Sequence, residues 1–457
     1  MSFFEKHRLS TTQMILSGFF FTILFGGLVL TLPISSQSRT FTPFVDALFA
    51  STTSVCVTGL TTVVTAEHWS LFGKLVILIL IQFGGLGYVT FITSISLILH
   101  KRITLRDRLM IQEAYNLDTL RGLVKLTIRV LKGTFLVEGI GALIYCFQFV
   151  PEYGLAKGVW YSVFHSVSSF CNAGIDLIGS TSFVKYSSNP LICINTMALI
   201  IIGGIGYPVW WDFLEKFRES RKQSWSLRDT IRKLSLHTKL AVTVTACLIF
   251  TGAAFVFINE YSNPLTLGPL GTGSKILASF FQSVTLRTAG YFTIPQEGLK
   301  ASTAFVGIIL MFIGGSPSGT AGGIKTVSFA VLLLTVFSTM RSRQDIEVFE
   351  RRIVDDYLKK ALTVFLYSFT TLLLSTICLS LVVNRDLLDI MYECASALGT
   401  VGVSRNLTGS LPTAGKYIII ATMYLGRVGP ISLALALKLG GHGSGKRQLP
   451  DAKIIVG

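Results

Sequence analysis

SVCVTGL, residues 54–60, follows the short apolar run FVDALFASTT and precedes a much longer one. It is too polar for the middle of a membrane span and too apolar for an ordinary surface loop. Three further stretches share its build: SFCNAGI (169–175), TLRTAGY (285–291) and ALGTVGV (397–403). Each centres on one glycine, and Gly59, Gly174, Gly290 and Gly402 are spaced by 115, 116 and 112 residues. An aromatic residue stands ten positions before each glycine: Phe49, Phe164, Phe280 and Tyr392. A second register follows 24 to 29 residues later as GGLG (84–87), GGIG (203–206), GGSP (314–317) and GRVG (426–429). Two registers repeating together are the signature of a tandem architecture that covers nearly the whole chain.

The composition says what the repeats are made of. Of 457 residues, 51% are hydrophobic and 14% charged, with a mean hydropathy of +0.62. A soluble domain carries about 25% charged residues. Apolar runs at roughly 11–33, 71–99, 126–149, 191–213, 238–258, 302–338, 361–383 and 415–437 are each long enough to cross a bilayer. Between the members of each pair lies a run of about twelve residues, at 44–55, 159–170, 275–286 and 387–398, too short to span and suited to a re-entrant helix. The first run exceeds the usual signal-peptide core and lacks a small-residue cleavage site.

The formal charge of +16, taken alone, points to nucleic acid or an anionic membrane surface, but its placement argues for topology instead. Of 40 Lys and Arg residues, 28 fall in the N-terminus, in 100–132, 216–239 and 341–360, and in the C-terminal tail. Ten fall in the segments with the short runs, while Lys325 and Arg427 lie inside spans. The positive-inside rule puts the first group, and both termini, in the cytoplasm. The basic loops need no nucleic acid, though they could dock a cytoplasmic partner. The seven cysteines form no C-x-x-C pair, so no zinc or redox framework is visible.

The expected fold is therefore an all-α polytopic membrane protein. It has four tandem helix–pore helix–helix units with pseudo-fourfold symmetry around a central pore. The units fall at 1–100, 101–215, 216–343 and 344–440, with a cytoplasmic tail at 441–457. Two crossings per unit give all units one orientation, unlike inverted-repeat transporters. Four glycine turns then meet at one axis, where irregular backbone is tolerated only against protein or water. Carbonyls in such a ring can replace the hydration shell of a monovalent cation, and the C-terminal ends of the short helices favour positive charge. The candidate filter residues are Val57, Thr58, Gly59, Asn172, Ala173, Gly174, Thr288, Ala289, Gly290, Thr400, Val401 and Gly402. Four packing turns without permeation would explain the repeat but not the Ser and Thr content.

With these turns, the broken helix FIGGSPSGTAGGIKT (312–326) and YLGRVGP (424–430), the chain resembles the Trk/Ktr/HKT superfamily of potassium transport proteins. It is most similar to the membrane subunits of bacterial Ktr systems, the KtrB family. The resemblance covers essentially the whole chain and includes IQFGGLGYVTF, EYSNP and LPTAGKYIIIATMYLGRVGP. It implies a bacterial cell-membrane protein that translocates potassium at the filter carbonyls, often stimulated by sodium. It also implies a homodimer, surrounded by lipid, on a cytoplasmic ring of nucleotide-binding regulatory subunits. No cofactor is expected in this subunit, and nucleotides are expected on the partner. Each turn keeps one glycine, so a looser preference for potassium is expected. A sodium-permissive channel or transporter of the same superfamily is the alternative.

The third unit departs most from the others. Gly314, Gly315, Ser316, Pro317, Ser318, Gly319, Thr320, Ala321, Gly322 and Gly323 cannot continue a helix, at about 1 kcal/mol per glycine and about 3 per proline. A loop beneath the filter suits a gate, and the resemblance implies one; a passive packing break is the plainer reading. Arg427 stands where the first two units have Gly85 and Gly204. A charge there either faces the pore as a barrier or holds the loop through backbone carbonyls. Lys325 either joins this gate or snorkels to the interface. Glu138 pairs with a polar neighbour or relays protons, and His165 is read as packing. A membrane enzyme using Cys56, Cys171 or His165 finds no supporting spacing. The Walker-like Gly440–Lys446 has Arg447 in place of Ser or Thr and is rejected.

Overall fold

In the computed structural model, the described residues are 11–87, 123–343 and 345–429, with a few single positions between 89 and 112. The N-terminal ten residues, most of the basic segment 100–122, the tail 441–457 and the Gly440–Arg447 stretch lie outside the described residues.

Fourteen helices of at least twelve residues carry the argument. The first helix of each expected unit is long: α1 (Thr11–Thr31), α4 (Leu123–Tyr153), α8 (Leu236–Glu260) and α12 (Asp355–Ser380). Among the described residues these four are long and apolar enough to cross a bilayer. The short runs form α2 (Phe44–Val55), α5 (Leu155–Phe170), α9 (Thr272–Thr285) and α13 (Leu387–Gly399). The second helices are α3 (Leu71–Leu86), α6 (Pro190–Gly204) continued by α7 (Tyr207–Gln223), α10 (Ala301–Phe312) continued by α11 (Thr326–Met340), and α14 (Thr413–Val428). Together they make a multi-pass membrane protein.

The second helices depart from the straight spans expected of their apolar runs. Among the described residues all four end or bend at the second glycine register, not only the third. Gly87 ends α3 at φ +82, Gly429 ends α14 at φ +80, and Gly206 sits at φ +94 where α7 turns 95° from α6. Pro208 opens α7, where its missing N–H costs nothing. Hydropathy could not register these breaks, because it sums side chains while the backbone angle at the glycine ends the helix.

The same register lets helices touch. Gly84, Gly203 and Gly426 face the carbonyls of Val55, Phe170 and Leu398, at or next to the last residues of α2, α5 and α13. A Cβ at any of the three would overlap those oxygens. Each short helix packs on the second helix of the preceding unit: α5 on α3, α9 on α6, α13 on α10, and α2 on α14. The last contact closes the circle, and the Lys416–Asp46 ion pair at 2.6 Å lies on that seam.

Candidate pore and gate site

The four short helices end beside one another. Their C-terminal caps, Cys56, Cys171, Leu286 and Thr400, lead directly into or lie within the glycine turns. A Cβ built on Gly59 would lie 2.6 Å from Ala173 O and 3.3 Å from the Cα atoms of Gly174 and Gly402. One on Gly174 would lie 2.5 Å from Gly290 Cα, and one on Gly290 would lie 2.8 Å from Val401 O. One on Gly402 would lie 2.8 Å from Gly59 Cα. The twelve sequence-predicted turn residues are thus brought together, each turn touching the next around a closed ring.

The backbone angles repeat as well. Val57, Asn172, Thr288 and Thr400, two positions before each glycine, have φ of +51, +59, +71 and +51. The glycines have φ of +99, +62, +94 and +98, while Thr58, Ala173, Ala289 and Val401 between them do not have positive φ. Such an alternation departs from an extended strand, in which every residue has negative φ. Non-glycine residues adopt such angles only where the surroundings impose them.

Those surroundings include side chains that the sequence did not single out. Gly59 N–H donates to Thr53 Oγ1 (2.9 Å), Ile175 N–H to Ser168 Oγ (3.1 Å) and Gly402 N–H to Ser396 Oγ (3.0 Å). In the third unit Thr285 Oγ1 donates to Tyr291 O. A hydroxyl six positions before the glycine in three units was the available signal. Asn172 Oδ1, Thr58 Oγ1 and Thr400 Oγ1 are buried without a hydrogen-bond partner, an arrangement that is costly unless water or an ion supplies one.

Two cavities flank the ring. One of about 470 Å³ is lined by all four turn glycines and by Asp176, Ser404 and Asn406. Asp176 Oδ1 accepts from the N–H groups of Ile178 (3.0 Å) and Gly179 (3.2 Å), and burial pushes its carboxyl up to about 6. The other cavity, about 420 Å³, is lined by Gly85, Tyr207, Pro317, Ala321, Lys325 and Arg427.

Residues 313–325 form an ordered loop rather than a slack break. Gly314 N–H donates to Ile324 O (2.9 Å) and Gly315 N–H to Gly322 O (3.2 Å), closing its neck. Ser316 N–H reaches Gly204 O (2.9 Å) and Thr320 N–H reaches Gly203 O (3.1 Å), both on α6. Thr320 Oγ1 donates to Phe170 O, and Ser318 O accepts from Tyr207 N–H. Gly322 lies against Thr400 of the fourth turn. Arg427 donates to Thr320 O (2.6 Å) and to Gly84 O. Lys325 Nζ donates to Ala321 O (2.6 Å), so its head turns to the loop and not to a distant interface.

Glu138 accepts from Gln82 Nε2 (3.3 Å), with Cys171 Sγ 3.9 Å away. His165 lies beside the Tyr161 carbonyl and accepts from Leu177 N–H (3.2 Å), packed among Phe149, Phe183 and Tyr291. Among the described residues no group of His, Cys, Asp and Glu could hold a metal ion.

The ring of backbone turns lies between two cavities in a multi-pass membrane bundle, and sequence comparison gives the class of protein: a cation transporter. Residues 5–440 match the TrkH family of cation transport proteins, and the chain belongs to that family. Its members are transport proteins and not enzymes. The chain is 39% identical to the potassium/sodium uptake protein NtpJ of Enterococcus hirae, across 99% of this chain and 98% of that one. It is 38% identical to the Ktr system potassium uptake protein B of Bacillus subtilis, across 94% and 93%. The crystal structure of the potassium transporter TrkH from Vibrio parahaemolyticus superposes with a TM-score of 0.71 at 16% identity, over 95% of this chain and 86% of that one; it supports the fold.

Proposed function

We propose that this chain is the potassium-translocating pore subunit of a bacterial ion uptake system. The observation that carries the proposal is the ring of four turns with alternating φ between two cavities. Backbone carbonyls of Val57, Thr58, Gly59, Asn172, Ala173, Gly174, Thr288, Ala289, Gly290, Thr400, Val401 and Gly402 take the place of a cation's water shell. Fixed carboxylates are absent from these twelve residues, so selection rests on dipoles and ring size. The unpartnered oxygens of Asn172 and Thr400 fit a water or ion at the ring's inner end.

The loop Gly314–Gly323, with Lys325 and Arg427, is the gate in this reading. Its anchors on α6 and Arg427 support a closed conformation. Each of the four sequence units, at 1–100, 101–215, 216–343 and 344–440, supplies one turn, and their circular packing supports a pseudo-fourfold pore. Charge asymmetry supports cytoplasmic termini, placing the Asp176 cavity outside and the Arg427 cavity inside. Similarity to a Ktr system protein supports a membrane subunit that works with other components; in this reading it is a homodimer on a cytoplasmic nucleotide-binding ring, with sodium as a stimulating ion. Similarity to a protein named for both ions keeps the sodium-permissive alternative in view.

Rubidium uptake into liposomes with potassium or sodium as competitor tests the proposal. Strong competition by potassium alone supports a potassium filter. Equal competition by both ions removes the potassium assignment and leaves a monovalent cation pore.

A further inference from the structure

The residue three positions before each turn glycine is Cys56, Cys171, Arg287 and Gly399. Three are small or compact, and the third unit alone has a guanidinium. Arg287 is 7% exposed and lies deep in the bundle. Among the described residues it has no carboxylate partner. Its Nη2 donates to Gly314 O (3.2 Å) and to Thr245 Oγ1 (3.4 Å), while Nε has no partner. An intramembrane charge so placed is expensive, and what it binds is Gly314, at the start of the glycine-rich stretch of the loop.

That position matters mechanically. Gly314 N–H is held by Ile324 O, and Gly315 N–H by Gly322 O, so the neck of the loop closes at this carbonyl. Arg287 itself precedes Thr288, whose φ of +71 belongs to the ring. Arg427 reaches the middle of the loop at Thr320 from the fourth unit. Arg287 reaches the neck from the third turn.

We propose that Arg287 is a positioning residue that latches the third filter turn to the neck of the loop at Gly314 and holds the loop closed. It rests on the filter and gate reading above. Opening the loop moves Gly314 away from the guanidinium, so closure is favoured by a charge-assisted hydrogen bond that the open state lacks. The other three turns carry no such arm, and the third is the unit whose second helix is broken.

The test compares basal rubidium uptake by the full chain in liposomes for four proteins: the parent, Arg287→Met, a deletion of 316–322, and the two combined. Arg287→Met is expected to raise basal uptake about tenfold, as loss of one charge-assisted hydrogen bond allows. In the deletion background it should add nothing, because the latch then has no loop to hold. Arg287→Lys, which keeps a charged donor, should stay within about threefold of the parent. A purely structural role would instead lower uptake in both backgrounds and in the Lys variant. If Arg287→Met does not accumulate folded, Thr245→Val carries the test, with a rise of about threefold that is absent from the deletion. Unchanged uptake in the folded variants, or effects that multiply with the deletion, overturns the latch. If the deletion alone changes nothing, the gate assignment falls and the latch with it; if only Arg287→Met is silent, the gate stands and the latch falls.

Discussion

Gly290→Asp puts the filter assignment under direct load. Gly290 has φ +94, and a Cβ there would lie 2.8 Å from both Gly174 Cα and Val401 O. Both neighbours are backbone atoms of adjoining turns, so relief requires the ring itself to shift. An L-residue forced into left-handed backbone costs roughly 1–2 kcal/mol, before the contacts on either side. That amount alone corresponds to about a 5- to 30-fold change in an equilibrium. The new carboxylate adds a fixed charge to a ring that has none. Potassium-over-sodium discrimination in the rubidium assay should fall by at least about tenfold, a difference of about 1.4 kcal/mol. Gly409→Asp is the control: Gly409 lines the same cavity, and nothing lies within 4 Å of its Cβ position. It adds the charge without touching the ring, and its discrimination should match the parent. If monodisperse Gly290→Asp protein of the parent's size discriminates as the parent does, Gly290 does not belong to a filter.

Deleting 316–322 removes the Ser316 and Thr320 contacts to α6 and the Arg427 contact to Thr320. Basal flux without any cytoplasmic partner should rise by about tenfold or more, and unchanged flux and regulation would sink the gate. Asp176 supplies a pH dependence. Its carboxyl is pushed up to about 6 by burial, so it is neutral below that pH and negative above it. A negative charge in the cavity concentrates cations, so flux at limiting rubidium should rise between pH 5 and pH 7, and Asp176→Asn should flatten that rise. Ser396→Ala leaves Gly402 N–H without its acceptor, at a cost of about 1–3 kcal/mol. Reduced discrimination with little change in expression is expected; a lowered melting temperature with intact discrimination would make Ser396 merely structural.

Much of this molecule was legible in its sequence because tandem repetition carries its own controls. The glycine at 59 alone is a weak signal, but the same glycine near 174, 290 and 402, each with an aromatic ten residues earlier, fixes a unit and its period. The short helices followed from length, since a run of about twelve apolar residues cannot cross ~30 Å of hydrocarbon. The broken third helix followed from glycine and proline propensity.

What escaped was whatever depends on atoms far apart in the chain. The 95° bend between α6 and α7 was hidden inside an apolar run, because hydropathy sums side chains and the bend is a backbone event at Gly206. The hydroxyl clamps of Thr53, Ser168 and Ser396 looked like ordinary serines and threonines until the turns folded back over them. Arg427 was conspicuous as a charge in a span, but Thr320, its partner, lies 107 residues away. Sequence by itself determined the period of the repeat, the short helices and the residues at each turn, because covalent order and hydrophobic length suffice for these. Tertiary structure decided which turns meet, which backbone groups the loop 313–325 bonds to and which polar atoms go unpaired, because hydrogen bonds of fixed direction exist only once distant segments pack together.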